Sequence, residues 1–211
     1  MHLTDVDFLG TALQRKRDST HFKRLLNLTP EFQIVVSESD VRSVAESCIQ
    51  SRFRAAYGTE INEFHVALLT MHCAGALSAV VGISKATQQS LFLEQYTDLP
   101  VEQELARILR CEVDRESIVE IGNLVANTNG NSLALFIVLA SALSRAGFEY
   151  MVFTATEQLR SKFSRLGFET IYLSEANPTR LGLSSKRTGG ATTTLNPMSC
   201  LEVSNKRCKS L

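Results

Sequence analysis

The sequence predicts one α/β domain whose central mixed, twisted sheet is flanked by helices. Two apolar runs, Phe64 to Met71 and Gly75 to Ile83, lie close enough to pair as an antiparallel hairpin. From Ser117 the pattern turns to strand, helix, strand, helix, strand, the order of βαβ units with right-handed crossovers. The chain has 211 residues, 44% hydrophobic and 21% charged. That is enough to bury a core, too short for two full domains, and unlike a disordered chain.

The elements follow in order. Phe32 to Val36 (FQIVV) is β-branched and reads as a first strand, after which Ser39 or Asp40 can cap a helix. Val41, Val44, Ala45, Cys48, Ile49 and Phe53 recur at steps of three and four, the apolar face of a helix that ends before Gly58 and covers a sheet. His72, Cys73 and Ala74 join the two hairpin strands. The short run Leu91 to Tyr96 (LFLEQY) reads as extended, and Pro100 as the first turn of a helix running to about Arg110 with Glu102 and Glu104 at its positive end. Ser117 to Ala126 is apolar on both faces except at Glu120 and Asn123, as in a central strand. Asn127 to Ser132 (NTNGNS) is a turn, and Leu133, Phe136, Ile137, Ala140 and Leu143 mark a helix stopped by Gly147. Tyr150 to Thr154 is a strand, Thr156 caps a helix closed by Gly167, and Phe168 to Leu173 is a further strand. Met198 to Val203 is the only apolar cluster after Asn177, expected as an edge segment with a loose tail behind it. The boundaries are an N-terminal segment over 1–30, the domain over 31–181 and the C-terminal edge segment and tail over 182–211.

Lys plus Arg (22) equals Asp plus Glu (22), so no overall field draws the protein to nucleic acid. The apolar stretch Leu133 to Ala146 is broken by Ser141, Ser144 and Arg145 and is shorter than the roughly 20 residues that cross a bilayer. The first residues show no export signal. The five cysteines are scattered and unpaired in spacing, which fits reduced thiols in a cytoplasm and gives no metal site. His65 and His72 have no ligand-spaced partner and read as packing residues. Arg15, Lys16, Arg17, Lys23 and Arg24 form a local basic patch, by default a solvated helix face, that can also dock an acidic carrier protein.

Two carboxylates are the candidate catalytic residues. Glu94 follows the apolar Leu91 to Leu93, where loss of water raises a carboxyl towards general-base use; the alternative is a carboxylate accepting backbone N–H bonds ahead of Pro100. Glu120 is flanked by Ile118, Val119, Ile121 and Leu124, and a carboxylate buried there must be paired, protonated or functional. Strand alternation puts Glu120 and Gly122 on one face and Asn123 and Val125 on the other, unless a bulge at Gly122 changes the phase. The turn before the Leu133 helix, Asn129, Gly130, Asn131 and Ser132, offers free N–H groups at a helix start, which favours a phosphate. The bland reading is an Asn-Gly turn that caps a helix.

The element order is similar to that of the GNAT-like acyltransferase fold. The segments LFLEQYTDLPVEQEL, RESIVEIGNLVAN and GFEYMVFTATEQLRSKFSRLGFE together resemble the thermostable hemolysin family, over roughly Phe32 to Leu181. Members of that family are similar in fold to GNAT acyltransferases and acyl-homoserine-lactone synthases. The chain departs from the family at GGATTTLNP, where a Trp-Gly and paired tyrosines are usual, and at Ser84, where an Arg is common. The resemblance implies a splayed strand at Gly122, Asn123, Leu124 and Val125 whose N–H groups hold a thioester donor. It also implies that the Asn129 to Ser132 turn holds the donor's phosphates, although that turn has no Lys or Arg. The expected function is transfer of an acyl group from acyl-CoA or an acyl-phosphopantetheine carrier protein to a small amine, with no permanently bound cofactor. Two alternatives remain: a binding module of the same fold that has lost the chemistry, and a hemolysin acting on membranes.

Overall fold

The structure, a computed structural model, describes residues 30–36, 38–58, 60–156, 159–161, 170–177, 180 and 198–203. Its strands are β1 (Glu31–Val35), β2 (Ala67–Cys73), β3 (Ala76–Lys85), β4 (Ile118–Ala126), β5 (Tyr150–Ala155), β6 (Thr170–Glu175) and β7 (Met198–Val203), and its helices are α1 (Asp40–Tyr57), α2 (Val101–Leu109) and α3 (Asn129–Arg145). Short 3₁₀ helices cover Phe92–Tyr96 and Arg115–Ser117. The strands form one sheet in the order β1-β2-β3-β4-β5-β7-β6. The chain clusters into two compact units, and β3 and β4 each run from one to the other.

The first unit takes in the described residues up to Arg52, Phe64–Ile83 and Asn123–Gly147. β1 and β2 pair antiparallel with Ile34 opposite Leu69, and β2 pairs antiparallel with β3 with Leu69 opposite Val81. The expected three-residue link between the hairpin strands is a two-residue turn, Ala74 and Gly75, with φ of 52° and 77°. A two-residue hairpin needs left-handed backbone at both positions, and β2 reaches it by extending through His72 and Cys73 past a register shift at Met71/His72. Ser39 caps α1 by accepting the Arg42 N–H at 3.2 Å. α1 buries Ala45 and Ile49, whereas Val41 (36%) and Val44 (58%) are exposed. The buried stripe is therefore narrower than the three-and-four spacing suggested. α3 starts at Asn129, so the residues expected as a turn form its first turn, and Thr128 Oγ1 caps it by accepting the Asn131 N–H at 3.2 Å. Gly147, at φ 90°, ends it as expected.

A Cβ placed on Gly82 would lie 2.5 Å from Cδ2 and 2.8 Å from Cβ and Cγ of His65. The imidazole lies against the β3 backbone, and burial pushes its pKa down to about 4. Its neutral form supports folding above the usual value of 6.5, and that support is lost as pH falls from 6.5 towards 4. Because the close atoms include His65 Cβ and Cγ, the whole side chain must shift to admit a methyl. Gly82→Ala is expected to cost about 1–3 kcal/mol of stability in urea unfolding. An unchanged midpoint would show that His65 moves aside freely.

The second unit takes in Phe53–Glu63, Ser84–Gly122 and the described residues from Phe148 onward. β4 and β5 are parallel, with Ile118, Val119 and Glu120 opposite Tyr150, Met151 and Val152. β7 pairs antiparallel with both β5 and β6. The expected edge segment Met198 to Val203 is thus an interior strand, and β5 and β6 are not neighbours as a plain βαβ series would make them. Each of β5 and β6 completes its backbone hydrogen bonding on one side through β7, a partner drawn from far along the chain. The core holds Leu91, Leu93, Val101, Leu105, Ile118, Tyr150, Val152 and Leu173. The segment expected as extended at Leu91 to Tyr96 is the 3₁₀ helix, and Pro100 stands just ahead of α2 as its N-cap. Gly167 and Phe168 lie outside the described residues, as do the tail beyond Val203 and the N-terminal basic patch.

Candidate active site

The second unit brings both candidate carboxylates to the Phe92–Tyr96 turn. Glu120, on β4 and 3% exposed, accepts the Phe92 N–H at 2.8 Å through Oε2 and the Leu93 N–H at 2.9 Å through Oε1. Each of its oxygens keeps acceptor capacity beyond that single bond. Burial pushes the Glu120 carboxyl up, the two N–H groups pull it down, and the Glu94 charge pushes it up again, leaving it at about 7. Tyr96, at the far end of the turn and buried, is pushed up to about 12 by burial and by the Glu120 charge, so its hydroxyl is neutral at neutral pH.

Glu94 has the backbone-accepting place. Its Oε1 accepts the Val101 N–H at 2.9 Å and Arg115 Nη1 at 2.7 Å, and its Oε2 accepts the Leu91 N–H at 2.7 Å and Arg115 Nη2 at 3.0 Å. Two donors on each oxygen leave no lone pair pointed at a substrate. Burial pushes its carboxyl up, but the Arg115 fork and the two N–H groups outweigh that and hold it below its usual value. Arg115 also donates through Nε to Ala86 O at 2.9 Å and through Nη1 to Glu102 Oε2. Arg180 donates to Tyr96 O at 3.0 Å, to Thr97 O at 3.2 Å and to the Asp98 carboxylate.

Arg115, Glu102, Tyr96 and Arg180 escaped sequence reasoning. The available signal was that Arg115 is the one basic residue between Cys111 and Ser144, just ahead of a strand carrying a buried carboxylate. Its acidic neighbours Glu112, Asp114 and Glu116 made it resemble a solvated charge run.

The expected donor residues fall as follows. Gly122, Asn123 and Leu124 are half-buried on β4, and Val125 is buried. The backbone departure expected at Gly122 falls one residue later: Asn123 has φ 50°, and its Oδ1 is buried without a hydrogen-bond partner. Asn is among the few side-chain-bearing residues that tolerate that region. Strand alternation therefore ends at Asn123. Asn129, Gly130, Asn131 and Ser132 form the first turn of α3, with the Asn131 N–H taken by Thr128. The turn has no basic residue of its own, but α1 supplies one: Arg52 Nη2 donates to Asn127 Oδ1 at 2.6 Å. Among the described residues, no three His, Cys, Asp or Glu side chains gather as a metal site. No helix among them is long and apolar enough to cross a membrane.

Among solved structures, the chain is similar to the acyl-homoserine-lactone synthase LasI, at 12% identity, covering 83% of this chain and 90% of that one with a TM-score of 0.55. It is similar to FeeM, an N-acyl amino acid synthase from uncultured soil microbes, at 13% identity, 82% and 90% coverage and a TM-score of 0.53. It is also similar to BjaI, a CoA-dependent acyl-homoserine-lactone synthase with SAM and isopentyl-CoA, at 12% identity, 85% coverage of each chain and a TM-score of 0.50. These likenesses establish a GNAT-like acyltransferase fold. No curated protein matches the sequence. The family model described as thermostable hemolysin matches residues 35–191, well over half of the chain, and the protein belongs to that family.

Proposed function

We propose that this protein transfers an acyl group from a thioester to an amine, with Glu120 as the general base. The observation that carries the reading is the contrast between the two carboxylates. Glu94 is saturated by four donors and ion-paired, whereas Glu120 is buried, keeps a lone pair on each oxygen, and titrates at about 7. A base poised there is part ionised and strong enough to help at neutral pH.

In the proposed reaction Glu120 takes a proton from the amine as its nitrogen attacks the thioester carbonyl carbon. The C–N bond forms, the carbonyl oxygen becomes an oxyanion, and collapse breaks the C–S bond; the departing thiolate takes up the proton that Glu120 gives back, which releases the thiol and restores the base. The backbone N–H of Gly122, two residues along β4 from Glu120 and in the same unit, would hold the oxyanion. The Asn129 to Ser132 turn, with Arg52 beside Asn127, would take the donor's phosphates. Acyl-CoA and an acyl carrier protein's phosphopantetheine share that chemistry, and the relatives in fold include a CoA-dependent enzyme. The test incubates the protein with a panel of acyl thioesters and amines and reads product mass and free thiol. One thiol released per acylated amine is expected. Thiol release no faster than spontaneous hydrolysis across the panel would sink the reading.

A further inference from the structure

We infer that the Glu94–Arg115 ion pair is a positioning device, which holds the Phe92–Tyr96 turn so that two of its N–H groups fix the Glu120 carboxylate. The inference rests on the reading of Glu120 as the base and extends it to residues that touch no reacting atom.

A five-residue 3₁₀ turn is a poor holder by itself. At its two ends Glu94 N–H donates to Leu91 O at 3.1 Å and Thr97 N–H to Glu94 O at 3.3 Å, and 3₁₀ hydrogen-bond geometry is weak. Yet three consecutive N–H groups at its start are aimed at carboxylates, that of the preceding Leu91 at Glu94 and those of Phe92 and Leu93 at Glu120. What fixes the turn is the bonding of its own Glu94 to groups outside it. Glu94 ties its start to the first N–H of α2, and the planar guanidinium of Arg115 grips both Glu94 oxygens while bonding Ala86 O and Glu102. A bidentate fork sets direction as well as distance, which a lysine cannot do. Arg115 lies five residues ahead of Glu120 on the same run of chain, so the clamp and the carboxylate it serves share one anchor. Arg180 fastens the other end of the turn at Tyr96 and Thr97.

The groups that face Glu120 electrostatically are Glu94 and Tyr96. Removing Arg115 leaves the Glu94 charge unneutralised and frees the two N–H groups, and both changes favour protonated Glu120. Full-length Arg115→Met and Arg115→Lys are compared with the parent protein. The Glu120 carboxyl is followed by carbon-detected NMR through a pH titration, its signal assigned by its loss in Glu120→Gln. The midpoint is expected to rise by about one pH unit in Arg115→Met and by less in Arg115→Lys. Transfer should fall near pH 7 and recover above the new midpoint, whereas general loosening lowers it at every pH. A midpoint unchanged in a folded variant overturns the inference; should Arg115→Met not fold, Arg115→Lys reads the same quantity. Full transfer by Glu120→Gln sinks the base assignment alone, because the NMR midpoint still reports the clamp.

Discussion

Glu120→Gln is expected to lower acyl transfer by about 10²–10⁴-fold, the usual worth of a general base. The substitution keeps size and shape, and its amide oxygen can still accept one of the two N–H groups from Phe92 and Leu93. What it removes is the capacity to take a proton. The parent protein should gain activity as pH rises through about 7, where burial has placed the carboxyl, and the variant's residual rate should lack that step. Stability runs the other way. A carboxyl whose folded value is raised from 4.5 to about 7 favours the folded state when protonated, so its contribution is present at low pH and is lost as pH rises from 4.5 to 7. In Glu120→Gln that decline should vanish. Rates and thermal midpoints collected from pH 5 to 9 decide the matter, and parental transfer by the variant would remove Glu120 from the chemistry.

What could be read from the sequence divides by the range of the interaction. The hairpin, α1, α3 and the β4 to β5 crossover rest on local periodicity and on stop signals such as Gly58 and Gly147, and the chain itself states them. β7 does not, because Met198 to Val203 looks like an edge until its partners are known, and those lie tens of residues away. The Phe92–Tyr96 helix was missed for a related reason. Its turn is held by Arg115, 21 residues beyond Glu94, and no short-range pattern announces such a pairing. The burial of Glu120 was legible because it sits among Ile118, Val119 and Ile121. The left-handed backbone was expected one residue early, at Gly122, because glycine is the residue that most readily adopts it; Asn123 adopts it instead.

Glu94→Gln is expected to cost about 2–4 kcal/mol of stability in chemical denaturation. The side chain of Glu94 is 14% exposed and that of Arg115 27%, so the pair is mostly shielded, and the solvent that reaches the guanidinium keeps the cost below that of breaking a fully buried pair. A glutamine offers one oxygen where four donors converge, and its amide hydrogens point at N–H groups of Leu91, Val101 or the Arg115 fork. Two or more donors then go unsatisfied, and among the described residues Arg115 retains only Glu102 as an anionic partner. The pH dependence gives an independent check. Because Glu94 is held below its usual value, its contribution is present above 4.5 and is lost as pH falls through its lower folded value, so the parent and variant stabilities should converge in acid. A variant as stable as the parent at neutral pH but without transfer would return Glu94 to the chemistry. A variant equally destabilised at every pH would mean that shape, and not the charge on Glu94, holds the turn.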